Sequence, residues 1–241
     1  MASREKDRPD EGGSDGRARA AARDEGVARM IMDLRRAGGA DKRVLDAMES
    51  VPRRHFVGPA FDARAYDDTA LPIDCGQTIS QPAVVALMTE ALGVGERDKV
   101  LEIGAGSGYQ SAVLARLARR VYAIERHRPL VLEARARLNA LGIGNVALKA
   151  ADGTRGWPEQ APFDRILIAA AAEDVPTALL EQLRPGGIMI VPVGQSDDVQ
   201  HLIRAERRAD GGADYRELGA VRFVPLVEGM PDDGEGRTAR S

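Results

Sequence analysis

Apolar and polar positions alternate in blocks along this chain, and the period of each block predicts its element. Val27, Met30, Ile31 and Leu34 recur at helical spacing and stop near Gly38-Gly39. Asp41 stands where a helix cap would precede Val44, Leu45 and Met48, with Pro52 beyond the end. A turn-rich link, Arg53 to Pro59, and an irregular or weakly extended stretch, Tyr66–Ile73, separate this pair from a third helical run. That run holds Ala83, Val84, Ala86, Leu87 and Met88 and closes at Gly93. The pattern then changes. Short apolar runs at Val100–Ile103, Val121–Ile124, Val146–Lys149, Phe163–Ala169 and Ile188–Val193 read as buried parallel strands. Helical segments fall between them: Ala112–Ala118, Leu130–Leu141 and Pro176–Leu183. Gln200–Glu206 and Ala220–Val224 alternate well enough to be late, antiparallel strands. Repeated strand–helix alternation implies an α/β fold with an open, doubly wound, mostly parallel sheet, whose ligands sit at the carboxyl edge of the strands.

The first core strand feeds a glycine-dense turn, Gly104-Ala105-Gly106-Ser107-Gly108, followed by Tyr109. Glycine permits positive φ and leaves backbone open to a ligand, so this turn is a cofactor candidate. The dinucleotide fingerprint requires a small residue where Tyr109 stands. Glu102, two residues before the first glycine, would repel a pyrophosphate and attract an ammonium and a sulfonium. Both features favour S-adenosylmethionine over NAD. Glu125 closes the second strand, where doubly wound folds set an acid against ribose hydroxyls. Asp152-Gly153 closes the third, with an acceptor for an adenine amino group and room for its ring; this reading is favoured over an ordinary Asp-Gly turn because it is the third strand end so equipped. The alanines 169–172 leave space after the fourth strand.

Upstream, Gly76-Gln77-Thr78-Ile79-Ser80-Gln81-Pro82 is polar without being a charged, solvated loop. Ser80 is placed to cap the helix beginning at Pro82, and capping alone accounts for it as well as a site role does. His55 has no carboxylate or cysteine at a triad or ligand spacing and reads as a packed or surface residue.

Composition narrows the class. The chain has 241 residues, 44% of them hydrophobic, enough for one sizeable core resting on aliphatic side chains, since aromatics are only 4%. A net charge of −3 speaks against a general electrostatic grip on nucleic acid or an anionic membrane. One cysteine, Cys75, excludes an internal disulfide framework and a cysteine-cluster metal site; no metal is expected. The absence of a signal-like segment and of a spanning apolar run points to a soluble cytoplasmic protein. Residues 1–25 and 231–241 are polar and read as tails, the first disordered. Residues 26–95 form a helical and substrate-loop region, and 96–230 the cofactor-binding core.

Leu101 to Gln110 resembles the first motif of class I S-adenosylmethionine-dependent methyltransferases, and Leu183-Arg184-Pro185-Gly186-Gly187 a later turn of the same class. Leu71-Pro72-Ile73 with Gly76–Pro82 closely resembles the signature of the protein-L-isoaspartate O-methyltransferase family. Val51-Pro52-Arg53, Phe163-Asp164, Pro192-Val193-Gly194 and Val221-Arg222-Phe223-Val224-Pro225-Leu226 are similar to further segments of that family. The resemblance implies a seven-stranded Rossmann-like sheet with an N-terminal helical addition, its last two strands ordered differently from most relatives. It implies S-adenosyl-L-methionine as cofactor and S-adenosyl-L-homocysteine as product, and isoaspartyl proteins and peptides as substrates; a monomer is expected. It assigns Ser80 to the active site; Glu102, Gly104, Ala105, Gly106, Ser107, Gly108, Glu125, Asp152 and Gly153 to the cofactor; and Gln77, Thr78, Ile79, Ser80, Val221 and Arg222 to the isoaspartyl pocket.

Overall fold

The computed structural model describes residues 25–38, 41–195 and 199–231. The two predicted tails lie, apart from their innermost residues, outside the described residues. The first helix, α1, runs to residue 36 and buries Met30, Ile31 and Leu34. Helix α2 spans Lys42–Ser50, and Asp41 Oδ1 caps it by accepting from the Val44 N–H at 2.9 Å. A two-stranded hairpin follows, β1 (Leu71–Pro72) against β2 (Thr78–Ile79), then α3 (Pro82–Leu92). Gly93, in the left-handed region at φ 60°, ends α3.

The core alternates β3 (Lys99–Ile103), α4 (Tyr109–Leu117), β4 (Arg120–Glu125), α5 (Arg128–Ala140), β5 (Val146–Ala150), β6 (Phe163–Ile168), α6 (Thr177–Leu180), β7 (Leu183–Val193), β8 (Gln200–Arg207) and β9 (Ala213–Val221). The seven strands lie in the order β5-β4-β3-β6-β7-β8-β9. The first five pair in parallel, whereas β8 and β9 are added as an antiparallel meander. The chain winds outward from β3 to β5 and returns to β6 on the other side of β3. Strand order therefore reverses beside β3, and a crevice opens at its carboxyl end.

Alternation along the strands divides the core into two layers. Val100, Val121, Leu167, Ile188 and Ile190 pack in one layer with α1–α4. Leu101, Ile103, Ile124, Ile166, Ile168, Met189 and Val191 pack in the other with α6. Glu102 shares the parity of Val100 and so points into the first layer, a consequence felt at the site.

Two expected segments differ. The helix predicted over Pro176–Leu183 is a single turn. Gln182 ends it by sending its side-chain amide to Arg155 O and Ala178 O, and Leu183 then extends to pair with Phe163. Strand β7 thus begins before the Pro-Gly-Gly turn and passes through it with a shift of register. The strand predicted over Ala220–Val224 is instead Ala213–Val221, and residues 222–224 leave the sheet. Their backbone bonds elsewhere, as described next.

Candidate active site

The glycine turn is built on contacts between strand ends. Gly104 N–H and Ala105 N–H both donate to Ile124 O, at 2.8 and 3.1 Å, tying the loop across β3 and β4. Gly104, Gly106 and Gly108 have φ of 85°, 52° and 88°, a region costly to any residue with a Cβ. Their roles differ. Gly104 and Gly106 line the crevice. Gly108 does not; a Cβ there would meet Ala134 Cβ at 2.9 Å, so this glycine lets α4 start against α5. The packing task that the dinucleotide fingerprint gives its last glycine is performed one residue early. Tyr109 is then free to be large. It is 1% exposed, edge-to-face with Phe56 at 5.5 Å and beneath the buried Arg53 guanidinium at 5.0 Å. Burial pushes its phenol up to about 12.

The three acids divide in the same way. Glu125 lines the crevice at the end of β4, only 5% exposed. Its Oε2 accepts from Gly106 N–H and its Oε1 from His127 N–H, both at 2.9 Å, so it braces the glycine turn. Each oxygen keeps acceptor capacity for a ligand hydroxyl. Glu102, expected to face the cofactor's positive charges, does not reach the crevice. Strand parity sends it beneath the loop, where it is fully buried and Ser111 donates to Oε2 while Oε1 has no partner among the described residues. Desolvation raises its carboxyl to about 8, with the Ser111 hydrogen bond opposing and Glu125 reinforcing the shift.

Asp152, expected to receive an adenine amino group, is engaged within the protein. Oδ1 accepts from Thr154 N–H and Oγ1–H at 2.9 and 2.7 Å, and Oδ2 from Gly229 N–H at 3.0 Å. Burial alone would raise its pKa, but these donors and Arg155 outweigh it, and the net shift is downward. Its neighbour Gly153 does line the crevice, and a Cβ there would run into Ile103 Cγ2 at 2.5 Å.

The crevice has two contiguous chambers, which share Thr78, Gly104, Gly106, Ala169 and Val224. Beyond the second lies an open groove, reached across Thr78, Ser80 and Phe223. Gln77 and Thr78 border the first chamber; Ala105, Ser107 and Ile79 border the second; Val221 and Arg222 border only the outer groove. Ser80 stands on the wall between chamber and groove.

Ser80 does not cap α3. The N-cap is Gln81, without a side-chain cap bond, and Asp68 Oδ1 takes the Ala83 N–H at 2.8 Å from across the loop. Among the described residues the Ser80 hydroxyl has no hydrogen-bond partner, which removes the structural explanation for it.

Sequence reasoning missed the roof. After β9 the chain crosses the carboxyl edge of the sheet as a strap. Phe223 N–H donates to Gln200 Oε1 at 2.8 Å, Ala171 N–H to Val224 O at 2.8 Å, and Leu226 N–H to Ala171 O at 2.7 Å. Gly229 completes it at Asp152. Val224, Pro225, Leu226 and Val227 cover the first chamber, with Arg126 and His127 opposite.

A doubly wound sheet, a glycine turn with its first two glycines open to the crevice and an acid ending the second parallel strand define a class I S-adenosylmethionine-dependent methyltransferase. The residues fit that cofactor: Cβ-free backbone at Gly104 and Gly106, and a carboxylate with spare acceptor sites at Glu125. The chain belongs to the Protein-L-isoaspartate(D-aspartate) O-methyltransferase (PCMT) family, whose pattern it matches over residues 25–231. It is 64% identical over 202 residues to the protein-L-isoaspartate O-methyltransferase of Paracoccus denitrificans, covering 84% of this chain and 93% of that protein. To the protein of the same name from Paramagnetospirillum magneticum it is 57% identical over 208 residues, 86% of this chain and 97% of that one. The fold is also similar to a Plasmodium falciparum chain described as a protein-L-isoaspartate O-methyltransferase and solved with S-adenosyl-L-homocysteine. There the TM-score is 0.72 at 25% identity, over 83% of this chain and 98% of that chain.

Proposed function

We infer that this protein transfers the methyl group of S-adenosylmethionine to the free α-carboxylate of L-isoaspartyl residues in polypeptides. The observation that carries the reading, beside family membership, is the unpartnered Ser80 hydroxyl between the cofactor chambers and the outer groove. A carboxylate entering from the groove meets that hydroxyl as a donor.

The bound cofactor supplies an activated methyl group. The chain's residues supply position and exclusion of water. Gly104 and Gly106 let backbone approach the ligand, and Glu125 accepts from its ribose. Ser80 orients the isoaspartyl carboxylate, which needs no general base because a pKa of about 4 leaves it ionised at neutral pH. Opposite charges are lost as the methyl group moves, so a water-rich site would slow the step. The strap and the β1–β2 hairpin close the chambers on two sides. The following backbone amide nitrogen then attacks the ester carbonyl and expels methanol, closing a succinimide without further help, and water reopens the ring in part to aspartate, which is the chemistry of protein repair.

The net charge of −3 favours polypeptide over nucleic acid as the acceptor, and the single cysteine fits work in the reducing cytoplasm. Among the described residues no helix is long and apolar enough to cross a membrane. Transfer of labelled methyl to paired peptides that differ only in Asp versus isoAsp tests the reading: label enters the isoAsp peptide alone. Equal labelling, or none, refutes it.

A further inference from the structure

Arg222 is the one charged side chain that lines the outer groove among the described residues; the polar groups around it, Thr69, Thr78, Ser80 and Gln81, are neutral. It is exposed, and among the described residues it enters no hydrogen bond, ion pair or ring contact. The acids closest to the groove along the chain are engaged elsewhere. Asp68, which precedes the groove residue Thr69, accepts from Ala83 N–H at 2.8 Å, and Asp67 pairs with Arg64 at 3.6 Å. On β9, whose end lines the groove, Glu217 pairs with His201 at 2.7 Å. The groove therefore carries a positive charge that the protein does not use for itself.

Its position says what it faces. Arg222 borders neither chamber, so it stands outward of Ser80 and of the place where the α-carboxylate reacts. What lies before it is the polypeptide that carries the isoaspartyl residue. Ala220 and Val221, on the same wall, belong to the last strand of the sheet, whose outer edge no other strand covers among the described residues. Such an edge suits an extended polypeptide and fixes which of its side chains turn toward the wall. A guanidinium offers only donors in a planar fork, and the side chain that matches it is a carboxylate.

We propose that Arg222 selects among damaged sites by the charge beside them: isoaspartyl residues with an Asp or Glu within about three positions, roughly 10 Å of extended chain, are taken in preference to neutral sites, and sites flanked by Lys or Arg are taken least. The proposal rests on the isoaspartyl methyltransferase reading and adds to it a class of substrate sequence. The net charge of −3 repels acidic polypeptides at long range, so the preference is a local property of the groove.

The test is kcat/KM for methyl transfer to one short peptide with a central isoAsp, in versions carrying Glu, Gln or Lys at each of the three positions on either side. It is run on the full chain and on Arg222→Gln and Arg222→Glu. At low ionic strength at least one position should rank Glu above Gln above Lys, with Glu and Lys about 10-fold apart. The difference should lie in KM rather than kcat, because Arg222 does not reach the reacting atoms, and added salt should narrow it. Arg222→Gln should bring the Glu-to-Lys ratio at that position close to one, and Arg222→Glu should reverse it. A preference that survives in Arg222→Gln overturns the proposal, as does the absence of any preference in the unaltered protein. A loss in Arg222→Gln equal for every peptide also overturns it, since that is the mark of a residue that holds the reacting carboxylate or packs the groove. In each of these cases isoAsp peptides are still methylated by the unaltered protein, so the proposed function stands and only the role of Arg222 falls. If the unaltered protein methylates no isoAsp peptide, the proposed function fails and the selection by Arg222 fails with it.

Discussion

The two ends of the crevice treat their polar side chains in opposite ways. On the cofactor side Glu125 and Asp152 are already hydrogen-bonded to backbone N–H groups of the glycine turn and the strap. On the acceptor side Ser80, Thr78 and Arg222 make no side-chain hydrogen bonds among the described residues. A cradle for one invariant ligand gains from being preformed, because order established on folding is not charged against binding. An acceptor groove must admit many polypeptide sequences, and donors left free there can be matched by substrate.

Breaking the braced side should have the largest effect. Glu125→Ala removes both the proposed ribose acceptor and the support of Gly106. S-adenosylhomocysteine binding should weaken about 100-fold, ~3 kcal/mol, by calorimetry; intact affinity would contradict the ribose assignment. On the free side, Ser80→Ala should lower kcat/KM on an isoaspartyl peptide about 30-fold, ~2 kcal/mol. Cofactor affinity and melting temperature should stay unchanged, because no internal bond is lost. Unaltered turnover would sink the orienting role of Ser80.

Glu102 tests the layer below. Its folded pKa, about 8, lies above the 4.5 of an ordinary glutamate. Between those values the folded state holds a proton that the unfolded chain has released. Its contribution is therefore fully present below pH 4.5 and lost as pH rises toward 8. Melting temperature without ligand should fall across that window, and Glu102→Gln should flatten the slope. Parallel pH profiles for the two proteins would show Glu102 to be ionised in the fold.

The smallest expected effect is at the latch. Asp152→Asn turns an amide N–H₂ toward one of its donors and should cost about 1 kcal/mol of stability. The strap should become more open to limited proteolysis, while cofactor affinity falls less than in Glu125→Ala. Because the Asp152 pKa is lowered in the fold, its contribution holds at neutral pH and is lost only below the ordinary aspartate range.

Local periodicity sufficed for the strands from Val100 to Lys149, for the cap at Asp41 and for the glycine turn, because these depend on neighbours a few residues away. Position at a strand end likewise made it legible that Glu125 lines the crevice, since the doubly wound fold brings every such end to one edge. Three other assignments needed the third dimension. Glu102 lies beside the turn in sequence yet points away from the crevice, because strand parity and α4 decide its side. Ser80 has the chemistry of a cap, but Asp68, 12 residues earlier, took that role. Asp152 is also tied to the strap, by Gly229, 77 residues later. A hydrogen-bonding group's function depends on which partner reaches it first, and for these residues the partner, or the wall that excludes one, comes from a distant part of the chain. The amino-acid sequence by itself determined the sheet, the cofactor turn and the family; tertiary packing alone decided which polar groups remain free to meet a ligand.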